Sequence, residues 1–97
     1  MSDEPQRERL RVRYKGRVQG VGFRATVARL ASGQPVDGWV KNLWDGDVEL
    51  VVEGNPAAVE QLLGRVRTAF ERKIVSVETS PETPGLAPGS GFAVRYD

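Results

Sequence analysis

Between Lys15 and Arg24 the chain reads KGRVQGVGFR, which sets Gly16, Gly20 and Gly22 among apolar and basic residues and ends on an arginine where a helical pattern begins. A glycine-rich turn feeding a helix leaves several backbone N–H groups unpaired, and the helix end adds a partial positive charge, so the combination is an anion cradle. Arg24 gains nothing from the helix dipole in the first turn. Over a cradle, however, its planar guanidinium can hold a phosphate or carboxylate through two parallel hydrogen bonds. The plain alternative is that the glycines only turn the chain and the arginine is solvated. Two other phosphate motifs fail. There is no Gly-Lys-Ser or Gly-Lys-Thr, so this is no P-loop. Gly20-Val21-Gly22-Phe23-Arg24-Ala25 fits the dinucleotide fingerprint in letters, but the chain is too short for two mononucleotide-binding halves and Asp45 falls in a hairpin.

Composition narrows the chemistry further. The 97 residues include no cysteine and no histidine, which excludes a thiolate nucleophile, a disulfide, a Cys/His zinc site and a histidine general base. Fourteen basic residues against thirteen acidic ones leave a formal charge of +1, without the overall basic excess of many nucleic-acid binders. Any anion site must therefore come from local geometry. No apolar run approaches the roughly 20 residues of a membrane span. The start, MSDEPQRER, lacks the apolar core of a signal peptide, so cytoplasmic residence is expected. The length predicts a single domain over residues 9–97, preceded by a flexible tail of residues 1–8.

Hydrophobic spacing indicates what holds the loop. LRVRYKGR alternates Leu10, Val12 and Tyr14 with Arg11, Arg13 and Lys15, a strand with one buried face. From Gly22 onward Phe23, Val27, Leu30 and Ala31 recur at helical spacing until Gly33 and Pro35. Residues 36–43 and 46–54 predict two strands joined by the Asp45-Gly46 hairpin signal. Asn55 is a cap followed by Pro56 at the first helical position, with Val59, Leu62, Leu63, Val66 and Phe70 along the second helix. Strands over residues 73–79 and 91–96 follow, separated by a Pro/Gly-rich surface loop that includes Pro81 to Ser90.

The order β-α-β-β-α-β, with one extra strand, predicts an α+β ferredoxin-like α/β sandwich: an antiparallel sheet with both helices on one face. In that arrangement the first two strands run parallel. Their C-terminal ends share one edge of the sheet, which brings the glycine loop and Arg24 close to Asn42.

These residues carry a resemblance. GRVQGVGFR, from Gly16 to Arg24, followed by DGWVKNLWDGDVELVVEG, from Asp37 to Gly54, resembles the acylphosphatase family, whose members share a Gly-x-Val-Gln-Gly-Val-x-Phe-Arg loop and a later Gly-Trp-Val-x-Asn strand. The resemblance implies metal-independent hydrolysis of acyl phosphates, with no cofactor, a small-molecule acyl phosphate as the only partner, and a monomer. It implies that Arg24 and Asn42 are catalytic and that Gly16, Arg17, Val18, Gln19, Gly20, Val21 and Gly22 form the phosphate-binding loop. Phosphoryl transfer through a loose transition state asks mainly for positioning and charge stabilisation, so the lack of histidine and cysteine fits. On this reading the loop amides and Arg24 hold the phosphate and Asn42 orients the attacking water. The substrate's own phosphate then takes the proton. The approach to the second strand, ASGQPVDGWV, departs from the family's usual Leu-Gly-Leu, and Pro81 to Ser90 is particular to this chain.

Two other functional classes compete with this reading. A catalytically silent anion-binding or maturation module of the same fold is expected to sit beside further domains, and no zinc-finger cysteines point to one. An RNA-binding module needs stacking aromatics on its central strands, where this chain has VELVVE. Trp39 reads as a packing residue and Trp44 as an exposed hairpin residue. Glu49 and Glu53 read as the solvated face of their strand.

Overall fold

The computed structural model describes residues 6–97, and in it the alternation Leu10, Val12, Tyr14 becomes strand β1 (Glu8–Gly16). Helix α1 (Phe23–Ala31) follows, then β2 (Val36–Asn42), β3 (Val48–Gly54), helix α2 (Pro56–Ala69), β4 (Ile74–Glu82) and β5 (Phe92–Arg95). One five-stranded sheet runs in the order β4-β1-β3-β2-β5. The ferredoxin-like α+β arrangement is present, with α1 and α2 packed on the sheet through Val27, Val59, Leu62 and Val66. The sheet is mixed rather than antiparallel, because β5 pairs with β2 in parallel. Parallel pairing follows from the long return after α2 and β4, which carries the chain back across the molecule before β5 begins.

The expected tail over residues 1–8 does not extend over Arg7 and Glu8. Residues 1–5 lie outside the described residues, but Glu8 opens β1 and Arg7 is tied into the sheet. The Arg7 guanidinium reaches Asp37 at 2.9 Å and Glu53 at 3.4 Å, two carboxylates that are buried. The Gly89 and Gly91 amides donate to Asp37, and the Gly85 and Leu86 amides donate to Glu53. Burial alone would push both carboxyl groups up. The loop amides, together with Arg7, instead hold each below the ordinary carboxylate range. This polar cluster fastens the 83–91 loop to the sheet, where its own residues offer little apolar surface.

Glu53 is therefore not part of a solvated face, and the Glu49 side chain is largely covered as well. The face turned away from the helices is covered by ion pairs. On it Arg9 and Arg11 meet Glu82, Arg11 meets Glu49, and Arg13 meets Asp45 and Asp47. Trp39 lies on the same face, its ring 5.5 Å from the Arg9 guanidinium and 4.9 Å from that of Arg95. Beneath this layer Val51 is fully buried, although it faces away from the helices.

Strand β4 runs on to Glu82, past the expected end near Thr79 and through Pro81. It is the outermost strand, so the N–H that proline lacks is not needed by a neighbour. On the helix side the aromatic rings of Tyr14, Phe23 and Phe70 stack in series at centroid distances of 5.1 and 4.5 Å. Phe23 is the first residue of α1 and is almost wholly buried, so this cluster fixes the helix end that carries Arg24.

Candidate active site

The loop begins where β1 is pulled against the turn before β4. A Cβ on Gly16 would stand 2.2 Å from the Lys73 carbonyl oxygen, so only glycine permits this approach. The next amide, that of Arg17, donates to the same carbonyl at 2.9 Å. Val18 then buries its side chain in the core. Gly20 and Gly22 both adopt φ 76°, the left-handed conformation that glycine takes without strain. Space is open around both, so it is backbone conformation rather than crowding that calls for glycine there.

Gly22 caps α1 without any side-chain hydrogen bond, and the first turn contains no acidic residue. The first helical bond runs from the Thr26 amide to the Gly22 carbonyl. From Val18 to Ala25 no amide finds a protein acceptor among the described residues. The usual serine, threonine or aspartate cap would occupy some of these donors; its absence leaves a concave row of N–H groups at the positive end of a helix.

The side chain of Gln19 has a role that the sequence did not predict. Its amide nitrogen donates to the Leu43 and Asp47 carbonyls, each at 2.8 Å. These two residues close the β2–β3 hairpin through the Leu43 amide and the Asp47 carbonyl. The side chain therefore ties the loop to the hairpin that follows Asn42.

Arg24 and Asn42 do come together. A pocket of about 170 Å³ is lined by Val18, Gly20, Gly22, Arg24, Asn42 and Tyr96, with Phe23 and Val94 behind them. Arg24 takes part in no ion pair among the described residues. Its guanidinium lies 4.6 Å from the centre of the Tyr96 ring, and its one hydrogen bond is a long 3.5 Å contact to the Arg95 carbonyl. The Oδ1 of Asn42 is buried and has no hydrogen-bond partner among the described residues. An orphaned buried oxygen costs about 1–3 kcal/mol, and such a cost at the wall of a pocket is relieved when a ligand supplies a donor.

Gly16, Arg17, Gln19 and Val21 do not line the pocket. Gly16 and Arg17 anchor the loop, Arg17 leaves its side chain in solvent, and Val21 is exposed between the two turning glycines. Sequence reasoning missed Val94 and Tyr96. The β2–β5 register pairs Lys41 with Arg95, so the next residues on each strand are Asn42 and Tyr96. Alternation in GFAVRY marked the strand; nothing local marked its neighbour.

Comparison with known proteins agrees with this arrangement. The acylphosphatase family model matches residues 10–94. An acylphosphatase from a Synechococcus strain is 47% identical over 89 residues, covering 91% of this chain and 92% of that protein. The crystal structure of acylphosphatase from Bacillus subtilis superposes with a TM-score of 0.80 at 30% identity, covering 92% of this chain and 99% of that one. The structure of HypF from T. kodakarensis matches with a TM-score of 0.77 at 29% identity, over 93% of this chain but 12% of that one.

Proposed function

The chain belongs to the acylphosphatase family and is a hydrolase of acyl phosphates, and on that footing we propose how its residues divide the work. The phosphoryl group sits in the row of amides from Val18 to Ala25, and Arg24 closes over it with paired N–H bonds. Asn42 orients the water that attacks phosphorus. As the bond from phosphorus to the acyl oxygen breaks, the acyl group leaves as a carboxylate. The water's proton passes to a phosphate oxygen of the substrate, so no protein base is required. Gly16, Arg17 and the side chain of Gln19 shape and anchor the loop rather than touch the phosphate.

The observation that carries this reading is that, among the described residues, the loop lining the pocket leaves a row of amides unpaired beside an arginine without a carboxylate partner. Charge developing on the phosphoryl oxygens meets donors already in place, which is the largest single source of catalysis in sites of this kind. Arg24 and the amides supply that stabilisation, so the reaction is read as metal-independent. The arginines of the open sheet face are spent on carboxylates, which supports a small-molecule substrate over a nucleic acid.

The test is hydrolysis of benzoyl phosphate in EDTA by the wild type, by Arg24→Ala and by Arg24→Lys. Losing one preorganised donor typically costs ~10²–10³ in turnover, so the alanine variant should lose at least that. Lysine should restore only part, since a point charge cannot replace the planar fork. Chelator-sensitive turnover would refute metal independence. Inactive but folded wild type would favour the silent module, a fold that in HypF makes up a small part of a longer chain.

A further inference from the structure

On the helix side of the sheet a second groove, of about 250 Å³, opens between α2 and the edge strand β4, and it shares no lining residue with the candidate active site. The β1–β4 register sets Val12 opposite Thr79 and Tyr14 opposite Val77. Val12 and Tyr14 are core residues, so Val77 and Thr79 face the helices too, and α2 leaves Val77 half-buried and Thr79 exposed. Val12, Leu63 and Val77 supply apolar walls. The polar groups are the Tyr14 and Thr79 hydroxyls and the Arg67 guanidinium, and none of them has a hydrogen-bond or ion-pair partner among the described residues. Burial pushes the Tyr14 hydroxyl up, so it stays protonated and able to donate; the Arg67 charge pulls the other way, which sets the guanidinium near the phenol. No acidic side chain lines the groove. Gly64 keeps it open. A glycine inside a helix destabilises it relative to alanine, yet nothing stands within 4 Å of the place a Cβ would take, and its φ is not left-handed, so neither crowding nor backbone conformation calls for glycine here.

We propose that this groove is a second binding site, one that takes a small monocarboxylate with an apolar body, the class of molecule that acyl phosphate hydrolysis releases. Donors without acceptors and an arginine without a carboxylate call for an anion. Two carboxylate oxygens accept from Arg67 and from the hydroxyls, while the body covers Val12, Leu63 and Val77 in the space that Gly64 leaves. Inorganic phosphate suits the groove less, because it brings no apolar surface to those walls. A neutral molecule of the same shape would leave the guanidinium unanswered.

The probe is benzoate, titrated into the isotope-labelled protein with inorganic phosphate present in excess to compete at the cradle. Amide resonances of Leu63, Gly64, Arg67, Val77 and Thr79 should shift. Benzamide has the shape without the charge and acetate the charge without the body, so each should bind about tenfold more weakly or worse. Arg67→Gln should weaken benzoate about tenfold, as the loss of the one charge-assisted partner, and leave kcat with benzoyl phosphate unchanged. Gly64→Leu should abolish binding by filling the groove, while melting rises because leucine is the better helix former. Both residues are exposed, and neither change enters the core. Shifts confined to residues 18–25 would overturn the proposal by placing benzoate in the cradle alone. Benzamide binding as tightly as benzoate would remove the carboxylate from recognition, and benzoate binding unchanged in both variants would remove the groove. Failure of the cradle reads differently, as full activity in folded Arg24→Ala, a variant in which the benzoate shifts at the groove should persist.

Discussion

The most informative single side chain is Gln19, because it joins the loop that holds phosphate to the hairpin that follows Asn42. Replacing it by methionine keeps the length and removes both N–H donors. Each bond is 2.8 Å long, and a bond of this type contributes about 1 kcal/mol net, so the loss is about 1–3 kcal/mol. The larger penalty of orphaned acceptors does not arise. Leu43 O still accepts from the Gly46 amide at 3.2 Å, and Asp47 O from the Leu43 amide at 2.8 Å. Melting should therefore fall by about 4–8 °C for each kcal/mol lost. Activity should fall further than stability. A displacement near 1 Å between reacting groups can cost ~10²-fold, and the clamp is what sets the spacing of loop and Asn42. Gln19→Glu should be worse than Gln19→Met at neutral pH, since a carboxylate faces two carbonyl oxygens and adds charge beside the cradle. It should recover relative to methionine as the pH approaches about 4.3, where a protonated carboxyl regains one donor. The assays are thermal unfolding and kcat with benzoyl phosphate measured on the same samples. Wild-type kcat and wild-type melting in Gln19→Met would refute the clamp.

Two further outcomes follow from the geometry. Asn42→Ala should lower kcat far more than it weakens inhibition by inorganic phosphate, because a group that orients water acts mainly in the transition state; equal effects on both would make Asn42 a phosphate ligand instead. At the opposite end of the sheet, the lowered carboxyl groups of Asp37 and Glu53 contribute stability that is complete above their unfolded values of 3.8 and 4.5 and is lost as pH falls through the folded ones. The melting temperature should drop on acidification through that range, and the drop should be smaller in Glu53→Gln, which starts less stable because a neutral amide replaces one of Arg7's two carboxylate partners. An unchanged acid limb in that variant would remove Glu53 from the account.

The strands, the helices and the nearness of Arg24 to Asn42 were legible because each rests on local periodicity plus one topological rule. Phe23, Val27 and Ala31 are buried at the expected helical spacing, and the Asn55 side chain caps the Ala57 amide as its residue type predicts. The misreadings all concern which element ends up beside which. Glu53 alternates as a solvent-facing residue should, yet the 83–91 loop and Arg7 cover it. Pro81 reads as the start of a surface loop, but on an edge strand it costs no ladder bond and β4 runs through it. Gln19 has the composition of a loop ligand, and only the distance to Leu43 and Asp47 reveals a clamp. Tyr96 enters the pocket through a parallel pairing that no short-range pattern encodes.

Strand β2 brings these threads together, because its two ends are built on opposite principles. At Asp37 the buried charge is answered by two loop amides and a guanidinium, and little polar capacity is left over. At Asn42, among the described residues, a buried oxygen has no partner and the neighbouring loop leaves its amides unpaired. Leaving polar groups unsatisfied costs stability, so the second end is tolerable only where the rest of the fold holds it in place. Electrostatics points the same way. Asp45, Asp47 and Asp97 stand near the site in sequence, and each is engaged by Arg13, Lys15 or Arg95. With those carboxylates neutralised and Arg24 without one among the described residues, an incoming phosphate meets donors and a positive charge. The same pairing that steadies the hairpin thus keeps the cradle attractive to an anion in a chain whose net charge is only +1.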